Sequence, residues 1–158
     1  MIIRSVGVLA VVLCVTTALQ SQMQSLGRND SFAAAKLSAR EIRQILGGVE
    51  QSAYDTPDSW QTELRRRRVD LGGSAGLVVQ GTSMLCGGTG NCQTWVFRKS
   101  NDHWISMMAG DQAPIASAFA FGPGVTRGIP DFTIVSNLSA TDSKRTTFRF
   151  DGKFYRAQ

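Results

Sequence analysis

Four groups of residues have side chains and spacings that could do chemistry. Gly72-Gly73-Ser74-Ala75-Gly76 has the Gly-x-Ser-x-Gly spacing of a nucleophile elbow. That chemistry needs a strained strand-to-helix turn, a histidine to take the serine proton and an acid to orient the histidine. The single histidine is His103, beside Asp102. Ser74 falls between two strand-like runs, so the context favours a small-residue turn. Cys86 and Cys92 could pair with His103 as a thiolate–imidazole dyad if a thiol were accessible. Their spacing around Gly87-Gly88-Thr89-Gly90-Asn91 favours a disulfide across a hairpin, contributing about 2 kcal/mol through loop closure. Gly87 to Gly90 could form a nest of backbone amides for an anion. The chain has no Gly-Lys-Ser/Thr, which excludes a phosphate loop of the NTPase kind.

The fourth group is Arg65-Arg66-Arg67-Arg68. Guanidinium forks suit sulfate, phosphate and carboxylate. On a strand the four alternate faces. Leu64, Val69 and Leu71 cannot then share one face without a slip, so the run reads as a bulged or edge strand, where charge also discourages aggregation. Arg149 and Arg156 are candidates for the same anion or partner surface, with Arg98, Lys99 and Arg145 enlarging it if they converge. Two cysteines and one histidine fall short of a zinc site, and no Asp-x-Asp-x-Asp loop occurs, so no metal or other cofactor is expected. No catalytic carboxylate pair stands out. Asn137-Leu138-Ser139 is a glycosylation sequon, meaningful only in a eukaryotic secretory route.

These residues need a scaffold, and its pattern is mainly β. One helix is expected from Ser38, where Ser38-Ala39-Arg40-Glu41 reads as a capping box flanked by Leu37 and Ile42 as a hydrophobic staple. Ile42, Ile45, Leu46 and Val49 form its apolar face, and Gly47-Gly48 weaken or end it. Strands are expected near 64–71, 76–84, 93–99, 103–109, 115–121, 131–138, 145–150 and 153–157. The breaks fall at Gly72-Gly73, Gly87-Gly88, Asn101-Asp102, Gly110-Asp111, Gly122-Pro123-Gly124, Gly128-Ile129-Pro130 and Ala140-Thr141-Asp142. The expected fold is mainly β (α+β), an antiparallel meander forming a sandwich or partly closed barrel with one short N-terminal helix. Asp151-Gly152 predicts a two-residue type I′ turn, with Phe150 facing Lys153 and Phe148 facing Tyr155. Phe148, Phe150 and Tyr155 then share the core face, and Arg145, Arg149, Phe154 and Arg156 the other. Trp95 and Phe97 share a face opposite Val96.

Cys86-Gly87-Gly88-Thr89-Gly90-Asn91-Cys92, then Trp95-Val96-Phe97-Arg98, then Phe150-Asp151-Gly152-Lys153-Phe154-Tyr155 resemble small uncharacterised exported bacterial proteins. Those share a Cys-Gly-x-x-Gly-Asn-Cys hairpin and a terminal Asp-Gly-x-x-Tyr strand pair. The resemblance covers residues 60–158. It implies compartment and fold but no activity.

The N-terminus supplies the compartment independently. Arg4 precedes an apolar, uncharged run from Val6 to Leu19, and a polar stretch follows. This is the layout of a secretory signal, cleaved after Ala18 with Thr16 at −3, or less favourably after Ser21. The run is short of the ~20 residues a membrane helix needs. Leu13 before Cys14 departs from a lipobox. The expected organisation is a signal peptide over 1–18, a polar flexible lead over 19–36 and one β-rich domain over 37–158. Cys86 and Cys92 remain as an even pair in an oxidising compartment.

Lysine plus arginine outnumber aspartate plus glutamate 17 to 12, for a net charge of +5. A basic chain favours acidic partners. Export argues against nucleic acid, which leaves an acidic protein or an anionic glycan. The preferred reading is a secreted or periplasmic, non-enzymatic binding module with basic edges, inhibitor-like in size. The alternatives are a small hydrolase using Ser74 or Cys86/Cys92 with His103, and an envelope protein anchored by an uncleaved N-terminus.

Overall fold

The computed structural model describes residues 37–50, 64–82, 85–109 and 113–158. The expected signal peptide and polar lead, the end of the run expected over 76–84 and the expected break at Gly110-Asp111 lie outside the described residues.

Helix α1 (Ala39–Glu50) begins where the capping box predicts. Ser38 N donates to Glu41 Oε2 at 2.9 Å and Glu41 N donates to Ser38 Oγ at 3.3 Å. The helix does not end at Gly47-Gly48. A Cβ on Gly48 would lie 2.6 Å from Phe97 Cε1, so the missing side chain lets the helix seat on that ring. Ile45, Leu46 and Val49 are buried there, each burial contributing about 1.5–3 kcal/mol.

The strands form two antiparallel sheets. The first runs β1 (Leu64–Asp70), β2 (Ala75–Gly81), β3 (Cys92–Ser100), β4 (His103–Ser106), with β5 (Ile115–Ala116) also paired to β3. The second runs β6 (Ala118–Thr126), β7 (Ile129–Asn137), β8 (Ser143–Phe150), β9 (Tyr155–Ala157). The fold is a sandwich rather than a closed barrel. Leu71, Val78, Val96, Phe119, Phe132, Ile134, Phe148, Phe150 and Tyr155 are buried between the sheets. Leu64, Leu77, Val79, Trp95, Phe97 and Trp104 are buried with α1 on the first sheet's other face. Val96 therefore faces away from Trp95 and Phe97, as its position in the sequence predicts, and all three are buried.

The chain crosses between sheets at Ser117. Its backbone N–H donates to Val135 O at 2.8 Å, and Ser136 Oγ on β7 donates back to Ile115 O at 2.6 Å. A second seam lies at Met107, whose N–H donates to Val96 O and whose carbonyl accepts from Tyr155 N, at 2.7 and 2.8 Å.

The turns correct two expectations. Gly122-Pro123-Gly124 does not break the strand; it is a bulge inside β6, where the register shifts between Phe121 and Val125. The chain turns at Arg127-Gly128, with φ of +53° and +79°, at the start of the break expected over Gly128-Ile129-Pro130, and Ile129 and Pro130 already belong to β7. The β8–β9 turn spans four residues rather than two, because the Asp151 carboxylate accepts from Lys153 N and Phe154 N at 2.8 and 2.7 Å. Phe150 then pairs with Tyr155 and Phe148 with Ala157. The register moves by two residues, and a shift of two preserves the faces. Phe148, Phe150 and Tyr155 still point inward.

Candidate anion-binding surface

The catalytic constellations do not assemble. Ser74 closes a hairpin, exchanging backbone hydrogen bonds with Leu71 around Gly72 and Gly73, which take φ of +65° and +82°. A strand follows it, so the elbow lacks its helix. His103 is tied to α1. Gln44 Oε1 accepts from Trp104 N at 3.1 Å, and its Nε2 meets His103 Nδ1 at 2.9 Å. Arg40 Nη2 lies 3.4 Å from the other ring nitrogen. Cys86 and Cys92 form a disulfide with a Cα–Cα separation of 3.9 Å. His103 pairs with Ser100, at the far end of β3 from Cys92, roughly 26 Å along an extended strand.

The glycine loop is not an open nest. Gly87 N donates to Asn91 O at 2.8 Å and Gly90 N to Gly87 O at 2.9 Å, so both amides stabilise the loop itself. Asn91 is buried, and its side chain reaches the backbone of Asn137 on β7. The sequon asparagine is engaged too: Asn137 Nδ2 donates to Thr89 O at 3.0 Å and its Oδ1 accepts from Ser117 Oγ at 3.3 Å. An open polar depression of about 420 Å³ lies between this loop and residues 139–143. Among the described residues no group of three or more His, Cys, Asp or Glu could hold a metal, and no helix is long and apolar enough to cross a membrane.

The six candidate arginines do not share a face. β1 is an edge strand in unbroken register with β2, so no bulge is needed. Leu64 faces α1 while Val69 and Leu71 face the second sheet, because both faces of the first sheet are covered. By the same alternation Arg66, 3% exposed, lies on the helix side with Arg68, and Arg65 and Arg67 lie on the other. Arg149 and Arg156 belong to the second sheet. They stand directly opposite each other on its outer face, and each is held by a carboxylate: Arg149 Nε by Asp131 Oδ2 at 3.5 Å, Arg156 Nε by Asp151 Oδ2 at 2.9 Å.

No family model matches the chain, and no curated protein or solved structure matches it significantly. The reading of the site therefore rests on its geometry. Asp131 is 8% exposed, beneath the β6 bulge. A Cβ on Gly124 would lie 2.7 Å from its Oδ2, so the bulge needs glycine there. The phenol of Tyr155, which donates to Pro130 O at 2.7 Å, is pushed well above its ordinary range by burial and by the Asp131 charge. The Asp151 carboxyl is lowered to about 2 by the amides of Phe154 and Lys153 and then by Arg156.

Three functional candidates were not singled out by sequence reasoning: Arg127, Lys153 and Phe154. Lys153 Nζ and Arg156 Cζ lie 5.1 and 5.7 Å from the Phe154 ring centroid, within cation–π range. Arg127 packs against the same turn, with its Nη1 3.3 Å from where a Cβ on Gly152 would stand. The turn at Gly128 was legible, but the approach of Arg127 to Gly152 joins residues 25 apart and leaves no local signal.

Proposed function

We propose that the protein is an exported, non-enzymatic binding module that holds an anionic partner, either an acidic protein or an anionic glycan. The observation that supports it is the outer face of the second sheet with its adjoining turns. Arg127, Arg145, Arg149, Lys153 and Arg156 are exposed there, with Asp131 and Asp151 each engaged by an arginine and Asp142 exposed in the β7–β8 turn. The disulfide and the N-terminal pattern support export. The hydrolase alternative is disfavoured because His103 serves α1 and the cysteines are bonded to each other.

Isothermal titration of the mature protein with heparin, and separately with poly-L-glutamate, tests the reading. Binding of at least one, weakening with salt, is expected. Failure to bind either removes it.

A further inference from the structure

Resting on that reading, we infer that the ligand is a linear carboxylated or sulfated polysaccharide, and that it lies along β8 and across the tips of the β6–β7 and β8–β9 turns. Phe148 and Phe150 point into the core, so Arg145, Thr147 and Arg149 alternate outward along one line. Arg145 and Arg149 are four residues apart, about 13 Å on an extended strand. Arg156 continues the row beside Arg149, and Lys153 and Arg127 extend it to the end of the sheet.

The surface presents net positive charge. Asp131 is buried against Arg149 beneath Gly124, and Asp151, though exposed, is engaged by its own loop amides and Arg156. Arg127, Arg145 and Lys153 form no ion pair among the described residues. Arg127 also sits at φ +53°. Glycine or asparagine holds that position more cheaply, by about 1 kcal/mol, yet the turn carries a cation.

The rest of the face favours a hydrated glycan over a protein. Between the cations Thr133 and Thr147 meet hydroxyl to hydroxyl at 3.1 Å. Of the large exposed apolar residues, Ile105, Ile115 and Leu138 lie outside β6 to β9, and Val125 alone stands on this sheet, on β6 two residues before Arg127. Protein interfaces are usually anchored by a cluster of buried aromatic or apolar groups; here the turn offers one part-exposed ring, Phe154, already covered by Lys153 and Arg156. Cations and hydroxyls along β8, beside it on β9 and at the turn end of the sheet complement a hydrated chain of charged sugars.

The test is titration of the intact mature protein with heparin, polygalacturonate and poly-L-glutamate, using the variant Arg127→Asn/Arg145→Ala/Lys153→Ala. Asn suits the left-handed position, so the variant should keep its melting temperature. At least one polysaccharide should bind more tightly than poly-L-glutamate, and the variant should lose about tenfold in its affinity with a weaker salt dependence. Polysaccharide binding unchanged in the variant overturns the surface assignment and leaves the binding-module reading standing. Poly-L-glutamate binding as tightly as either polysaccharide overturns the glycan assignment in favour of an acidic protein. No binding to any of the three overturns both.

Discussion

The side-chain amide of Asn91 occupies the place of a neighbouring strand for Asn137. Its Nδ2 donates to Asn137 O and its Oδ1 accepts from Asn137 N, both at 2.7 Å. One buried side chain thus joins the disulfide loop of the first sheet to the end of β7 in the second. Asn91→Asp puts a carboxylate oxygen against the Asn137 carbonyl and leaves that group without its donor. The expected loss is about 1–3 kcal/mol of unfolding free energy in a urea titration. A loss within error would mean that the disulfide and the loop's other hydrogen bonds hold it without the Asn91 amide.

Glu41 links the helix start to the sheet. Oε2 accepts from Ser38, while Oε1 accepts from Lys99 Nζ at 3.1 Å and Trp104 Nε1 at 3.3 Å. The backbone and hydroxyl of Ser38, then Lys99, lower its carboxyl from 4.5 to about 2. The folded value lies below the unfolded one, so the stabilisation is complete above pH 4.5 and is lost as pH falls towards 2. After solvent screening it is on the order of 1–2 kcal/mol. Thermal melts from pH 6 to pH 2.5 should show that loss, and Glu41→Gln should flatten it. Asp151 titrates in an overlapping window, so an acid limb identical in Glu41→Gln would assign the effect elsewhere.

Gly47 and Gly48 are adjacent yet should respond in opposite directions. A Cβ at Gly47 meets nothing within 4 Å, so Gly47→Ala should stabilise the helix by about 0.5–1 kcal/mol. A Cβ at Gly48 collides with the Phe97 ring, so Gly48→Ala should destabilise by about 1–3 kcal/mol. Chemical denaturation of the two variants measures the difference. Equal effects would show that α1 is not seated on Phe97.

The Cys86–Cys92 bond should block both thiols from alkylation until a reductant is added. Replacing both cysteines with alanine should cost about 2 kcal/mol, the loop-closure value for so small a ring. Intact mass after alkylation, with and without reduction, reads the first outcome. Thiols that alkylate without reduction would remove the staple.

Local signals in the sequence were sufficient where one segment decided the outcome. Ser38 to Glu41 specify their own cap, and the alternation of Trp95, Val96 and Phe97 follows from strand geometry. Asp151-Gly152 marked the right hairpin but the wrong register, because the dipeptide does not reveal that the Asp151 carboxylate will close on Phe154 N. Gly122-Pro123-Gly124 looked like a break because proline fits a strand only at an edge or a bulge, and the sequence does not show that β6 is the edge of its sheet. The basic surface was least legible. Arg149 and Arg156 were visible as outward residues, but the Asp131 partner of Arg149 and the approach of Arg127 to Gly152 depend on contacts distant in sequence, and the Asp151 partner of Arg156 depends on the register of the turn.

The hairpin order has a kinetic consequence. In both sheets the neighbours β1 to β4 and β6 to β9 follow one another along the chain, and only the short β5 pairs out of turn. Most ladders can zip from their own turns without closing a long loop. The late events are then the meeting of the two sheets, through Ser117, Met107 and Asn91. Such local connectivity favours folding at the fast end of the range for all-β proteins. A chain that begins to fold after crossing a membrane would spend little time with unpaired strand edges exposed to its neighbours.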